Sequence, residues 1–255
     1  MYKTTEITSA EIASDNPVHQ RLLFPYVEAA KMVNGNVLEI GCGWGRGLEL
    51  LTKAADHYTG IDKNEALIKA LGEAYPDATF IAANIPPLSG LADNTFDFIV
   101  TFQVIEHIEN DDLFIREAHR VLKPGGKLLL TTVNKTFSLT RNPWHVREYV
   151  ADELRKLMSR YFAKVDTKGI HGNEKVMTYY EQNKESVKKL TRFDIFNLQY
   201  RLPRRLLQVP YELMNRLNRN RLLQANGLAA EINYTDYVVS TNPAGSLDFF
   251  YVATK

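Results

Sequence analysis

The chain has 255 residues, 45% hydrophobic and 24% charged, a globular composition that excludes a disordered or fibrous protein. Its 31 Lys and Arg against 30 Asp and Glu leave a formal charge of +1, so no global field draws it to nucleic acid. Cys42 stands alone, which excludes an intrachain disulfide and a Cys/His zinc module. No apolar run approaches the ~18 residues of a membrane span and Met1–Pro17 lacks the apolar centre of a signal peptide, so the expected setting is the cytoplasm.

In chain order, residues 1–35 read as an N-terminal helical cap, with Val18, Leu22, Leu23, Pro25 and Tyr26 either covering a ligand or packing on the sheet edge. Over 36–171 short apolar runs alternate with helical patterns, which predicts βαβ units and a parallel sheet. The strands are Asn36–Ile40, His57–Ile61, Thr79–Ala82, Phe96–Thr101, Lys127–Val133 and Lys164–Ile170. Asp111 and Asp112 open a helix with Phe114, Ala118 and Val121 on one face, and Lys123-Pro124-Gly125-Gly126 stops it. Leu154, Leu157, Met158, Tyr161 and Phe162 form the stripe of a helix lying on a sheet.

Residues 172–229 change character. They hold no strand run, and Pro203 and Pro210 separate helix-like stretches. Lys184–Arg221 carries ten Lys and Arg against three acids, a local +7 that leaves −6 for the rest. Leucines interleave with these arginines, which suits a lid with a core-facing leucine stripe and a solvated basic face, or a surface on anionic lipid or an amphiphilic acceptor. Residues 230–255 return to the core with a last strand, Leu247–Ala253. The fold class is therefore α/β: a doubly wound, seven-stranded, mostly parallel sheet with a helical insertion before the last strand.

The loop Gly41-Cys42-Gly43-Trp44-Gly45-Arg46-Gly47 follows an apolar strand and opens a helix. Its glycines allow positive φ and close approach to a ligand. The dinucleotide pattern G-x-G-x-x-G fails from Gly41 at Arg46 and from Gly43 at Leu48, and no Gly-Lys-Ser/Thr is present. Asp62 ends the second strand 21 residues after Gly41, where a carboxylate can accept from both hydroxyls of a ribose. Glu39, two residues before Gly41, suits a cation and repels a pyrophosphate. An adenosine with a cationic tail describes S-adenosylmethionine.

These segments resemble the class I S-adenosylmethionine-dependent methyltransferases, near the branch of the ubiquinone and menaquinone methylases. Glu39-x-Gly41-x-Gly43-x-Gly45 is similar to their first motif, Asp62 to their ribose acid, and Phe80–Asn84 to the segment ending at the adenine, with Asn84 in place of the commoner aspartate. Phe96–Val100, Phe102–Ile108 and Arg120–Gly126 are similar to their fourth strand, its exit and the run before strand five. The resemblance implies a donor site formed by Glu39, Gly41, Cys42, Gly43, Asp62, Lys63, Asn84, Ile85, Phe102 and Gln103.

Methyl transfer from a sulfonium mainly requires alignment, and a base only where the acceptor is a poor nucleophile. His107 and His145 are the candidate bases, and each has the alternative of packing and holding a loop. Asn142–Tyr149 offers Trp144, Arg147 and Tyr149 to an acceptor or anchors a loop. Glu106 and Glu109 near Asp111 read as the acidic start of a helix, so no metal is assigned, and Cys42 as a small loop filler. The expected partner is a small, amphiphilic or acidic acceptor, with no nucleic acid. Two other functions compete: a nucleotide-dependent oxidoreductase, disfavoured by Arg46 and Glu39, and a non-catalytic donor-binding protein acting through its basic insert at a membrane or partner.

Overall fold

The computed structural model describes residues 12–192, 194 and 197–255; residues 1–11 of the expected cap, and 193, 195 and 196 of the expected insert, lie outside the described residues. After a 3-10 turn at Ala13–Asp15 come α1 (Asn16–Ala30), β1 (Asn36–Ile40), α2 (Leu48–Ala54), β2 (His57–Asp62), α3 (Glu65–Ala74) and β3 (Thr79–Ala82). Next are β4 (Phe96–Phe102), α4 (Asp111–Val121), β5 (Leu122–Val133), α5 (Ala151–Met158) and β6 (Lys164–Gly172). Then follow α6 (Glu174–Thr191), α7 (Leu198–Arg201), α8 (Arg204–Asn226), α9 (Leu228–Glu231), β7 (Tyr237–Ser240) and β8 (Asp248–Thr254).

The strands form one sheet in the order β3-β2-β1-β4-β5-β8-β6-β7. β3 to β5 run parallel, β8 lies antiparallel between β5 and β6, and β7 is antiparallel to β6. The count is eight rather than seven. The added strand, β7, has only four residues, Tyr237-Val238-Val239-Ser240, with Tyr237 buried and Val238 exposed, too short a period-2 run to stand out in the sequence.

Helices cover both faces, so successive residues of one strand serve two cores. Leu38, Ile40, Ile99 and Leu130 pack with Phe114 of α4 and Leu154 of α5. Val37, Val100 and Leu129 pack on the other face with Phe24 and Tyr26 of α1 and Leu51 of α2. The Asn110 side chain caps α4 by accepting from the Leu113 N–H at 3.0 Å. The Lys123–Gly126 run ends that helix as expected but also begins β5, pairing from Leu122 through a register shift opposite Phe96 and Phe98.

The insert corrects one expectation. Only part of its leucine stripe faces the core: α8 turns Leu222 inward with Asn218, and Leu223 packs beside it, whereas Leu206, Val209, Leu213 and Leu217 are exposed. Asp15, fully buried before α1, explains the seating, because Arg216 and Arg219 reach it at 3.0 and 3.1 Å and roll α8 that way. Among the described residues no helix is long and apolar enough to cross a membrane.

Candidate active site

The strand order reverses between β1 and β4, and the crevice at their carboxyl ends is where such sheets bind ligands. The loop after β1 enters it with Gly41 and Gly43 at φ +79° and +53°. A Cβ at Gly41 would meet Val104 Cγ2 at 2.5 Å, whereas one at Gly43 would meet nothing within 4 Å. Gly43 therefore fronts open space, with room for a ligand to approach the backbone. The cavity there measures about 480 Å³, and Gly41, Cys42, Gly43, Asp62, Lys63, Asn84, Ile85, Phe102, Gln103 and His107 all line it. These ten residues, separated by as many as 66 positions, thus meet at one crevice, with Glu39 as the exception among the donor-side candidates.

Asp62 is aimed by the backbone. Gly43 N–H donates to its Oδ2 at 3.0 Å and Asn64 N–H to its Oδ1 at 2.9 Å, which leaves each oxygen a lone pair for another donor. Gln103 sits at φ +56°, a conformation uncommon for a non-glycine residue and typical of ligand sites. Its amide donates to Asp248 Oδ1 at 3.3 Å, and Asp248 is gripped by Arg21 of α1 at 2.5 and 2.6 Å. Burial pushes the Cys42 thiol far above its ordinary range, so it is a filler and not a nucleophile.

Glu39 is 1% exposed and lies beneath the loop. Tyr26 donates to its Oε1 at 2.7 Å and Tyr58 to its Oε2. Burial raises the pKa of this carboxyl, and the two phenol hydrogen bonds partly offset the rise. Leu22 and Tyr26 put α1 over the cavity. Sequence reasoning missed Trp44, Leu67, Ile108 and the wall role of Arg46, which it read only as a break in the dinucleotide pattern. The Arg46 guanidinium lies 5.0 Å over the Trp44 ring and 2.6 Å from His19 Nδ1.

His107 closes a 3-10 turn at Ile105–His107, and its Nδ1 lies 3.0 Å from the Trp144 carbonyl. A carbonyl only accepts, so Nδ1 is the nitrogen that donates there, leaving Nε2 as the ring's other nitrogen. The His145 ring meets His107 edge-on, with centroids 5.0 Å apart. His145 Nδ1 is 2.7 Å from Glu148 Oε1, and its Nε2 is 2.9 Å from Asn142 Nδ2. Burial raises Glu148, but hydrogen bonds from His145 and Ser138 outweigh it and hold that carboxyl below its ordinary value.

Glu106 behaves differently from the expected helix start. It is fully buried, its Oε2 accepts from Thr132 at 3.0 Å, and its Oε1 has no hydrogen-bond partner among the described residues. Burial raises its pKa, with His107 and His145 opposing. The donor atoms of Glu106, His107 and His145 lie within 4.8 Å of one another, a spacing compatible with a shared cation. The sequence grouping of Glu106 with Glu109 and Asp111 does not form: Glu109 points to Arg204 at 3.9 Å, and Asp111 accepts from Arg147 and Tyr149. The buried Nε1 of Trp144, a residue of the cavity wall, likewise has no hydrogen-bond partner among the described residues.

A second cavity of about 230 Å³ lies on the far side of the His107–His145 pair. Asn134, Ser138, Asn142, His145 and Glu148 of the core line it below, with Tyr179 and Asn183 of α6 and Tyr211 and Asn215 of α8 above.

Comparison with known proteins identifies relatives of this chain. The family described as "Methyltransferase domain" matches residues 38–130. A Mycolicibacterium smegmatis protein named "Probable S-adenosylmethionine-dependent methyltransferase" is 38% identical over 66% of this chain and 68% of its own length. A ubiquinone biosynthesis O-methyltransferase of Xanthomonas oryzae is 30% identical over 48% of this chain and 51% of its own, so the chain spans about half of that relative. Among solved structures, a SAM-dependent methyltransferase of Archaeoglobus fulgidus shares the fold, with TM-score 0.56 and 17% identity over 94% of each chain.

Proposed function

Because the chain belongs to the S-adenosylmethionine-dependent methyltransferase family and takes S-adenosylmethionine as its donor, we propose that it methylates an oxygen of a small, amphiphilic or acidic acceptor admitted beside Asn134–Tyr149. When bound, the donor supplies a sulfonium-activated methyl group with an excellent leaving group, so the chain's work is alignment, which is worth up to ~7–11 kcal/mol.

The residues fit that donor. Gly43 leaves room for it, Asp62 has lone pairs free for two ribose hydroxyls, and the Asn84 amide can pair with an adenine edge. Glu39 acts on the tail end from beneath the loop, through the position it gives Tyr26. On the acceptor side, His107 accepts a hydroxyl proton at Nε2 while the Trp144 carbonyl holds its other nitrogen. His145, held by Glu148, is a positioning residue for that ring. The polar chamber under α6 and α8 receives the body of the acceptor.

The observation that carries this reading is the 3.0 Å contact of His107 Nδ1 with the Trp144 carbonyl, which commits one ring nitrogen to the loop while His107 lines the donor cavity and meets His145 on the wall of the second. The Xanthomonas relative, an O-methyltransferase by name, adds support for oxygen as the methylated atom. Incubating the protein with donor bearing a deuterated methyl in cell extract, followed by mass spectrometry, tests it. A labelled product with the methyl on oxygen is expected; label on nitrogen or carbon alone would overturn the base role.

A further inference from the structure

We infer that the outward face of α8 docks on an anionic lipid surface. Leu206, Val209, Leu213 and Leu217 recur at helical spacing and are 64, 74, 59 and 56% exposed. An ordinary surface helix turns such a stripe to the core and its charges to water, whereas α8 holds this stripe in water beside its exposed arginines. The stripe is not isolated. Of the twelve exposed large hydrophobic residues among the described residues, eight fall within 198–217, with Tyr200 on α7 and Leu202 on the turn between α7 and α8 among them. So concentrated an apolar patch marks an interaction surface.

Charge selects the occupant. Residues 198–221 hold six arginines and one acid, Glu212. Arg216 and Arg219 are spent on Asp15, whereas Arg201, Arg205 and Arg221 are exposed around the stripe. Arginine stems lie along apolar surface with their heads at the interface, which is the arrangement of a helix lying in the headgroup plane. A second copy packed on this stripe would bring arginine flank against arginine flank, and that repulsion argues against self-association. Anionic headgroups satisfy both features of the face.

The same face adjoins a route inward. An apolar cavity of about 410 Å³ opens between α6, α7 and α8, lined by Leu190, Leu198, Leu207, Pro210 and Met214, and shares Tyr211 and Asn215 with the polar chamber. An amphiphile lifted from the surface would meet apolar walls first and polar ones beside His145.

The test is flotation of the full chain with vesicles of phosphatidylcholine alone or mixed with phosphatidylglycerol, at low and high salt. Binding to the mixed vesicles is expected, about 10-fold or more weaker on the neutral ones and weakened by salt. The double variant Val209→Glu/Leu213→Glu should lose most of the binding, while its melting curve and its calorimetric affinity for S-adenosylmethionine stay those of the wild type. Absence of binding to anionic vesicles at low salt, equal binding by the variant, or a wild-type dimer that this variant splits would each overturn the proposal. The donor titration reads the methyltransferase site separately, so the two accounts fail independently.

Discussion

Tyr26 on α1 donates its hydroxyl proton to Glu39 on β1 at 2.7 Å, which fastens the helix above the cavity to the strand below it. Tyr58 on β2 reaches the other carboxylate oxygen. Burial and the neighbouring Glu39 hold both phenols protonated, well above their ordinary range. Glu39 therefore has its position fixed by a pair of donors, and the donor cavity has its lid fixed by Glu39.

Tyr26→Phe leaves Glu39 Oε1 buried without a partner, at a cost of about 1–3 kcal/mol in chemical denaturation near neutral pH. The sign of its pH dependence follows from linkage. Glu39 has a raised folded-state pKa, so its contribution is most favourable below the unfolded value and is lost as pH rises through the folded one. Removing one phenol raises that pKa further, so the penalty should shrink below about pH 4 and grow above it. A penalty independent of pH would contradict the ionised Glu39–Tyr26 bond.

Gly47→Ala tests the same lid from the other side. Its φ of −102° is ordinary for any residue, but an added Cβ would stand 1.8 Å from Tyr26 Cδ1. The ring must move, at a cost of about 1–3 kcal/mol, and α1 must lift from the cavity. Donor affinity measured by calorimetry should fall together with the melting temperature; a melting shift alone would separate α1 from donor binding.

Most of the sheet was legible because its signals are local. Val37-Leu38-Glu39-Ile40 is a short apolar run that meets glycines, and Asp62 stands at the end of the next run. Gly41, Gly43, Asp62, Asn84 and Gln103 are legible for the same reason, since each stands at or just after the carboxyl end of a strand, whereas Trp44, Arg46 and Leu67 of the same wall carry no such signal. What failed depends on tertiary placement. Periodicity gives α8 an apolar stripe but not the side it faces, which the distant Asp15 decides. His107 and His145 are 38 residues apart, and nothing in their spacing announces that their rings touch.

His107→Asn preserves a side chain able to donate to the Trp144 carbonyl but removes the basic nitrogen. The turnover number with the true acceptor should drop about 10²–10⁴-fold, with donor affinity within a factor of about two of wild type. Glu148→Gln, which loosens the His145 support and the Ser138 hydrogen bond but leaves His107 in place, should cost less. Unchanged turnover in His107→Asn would remove the base from the reaction.

The most direct measurement is calorimetric titration of S-adenosylmethionine into the wild type and Asp62→Ala, with NADH as the competing ligand. One donor per chain should bind the wild type, and loss of the ribose hydrogen bonds should weaken the variant by roughly 2–4 kcal/mol, while NADH gives no heat in either. Heat from NADH but not from S-adenosylmethionine, or equal donor affinity in the two proteins, would contradict a sulfonium nucleoside held by Asp62.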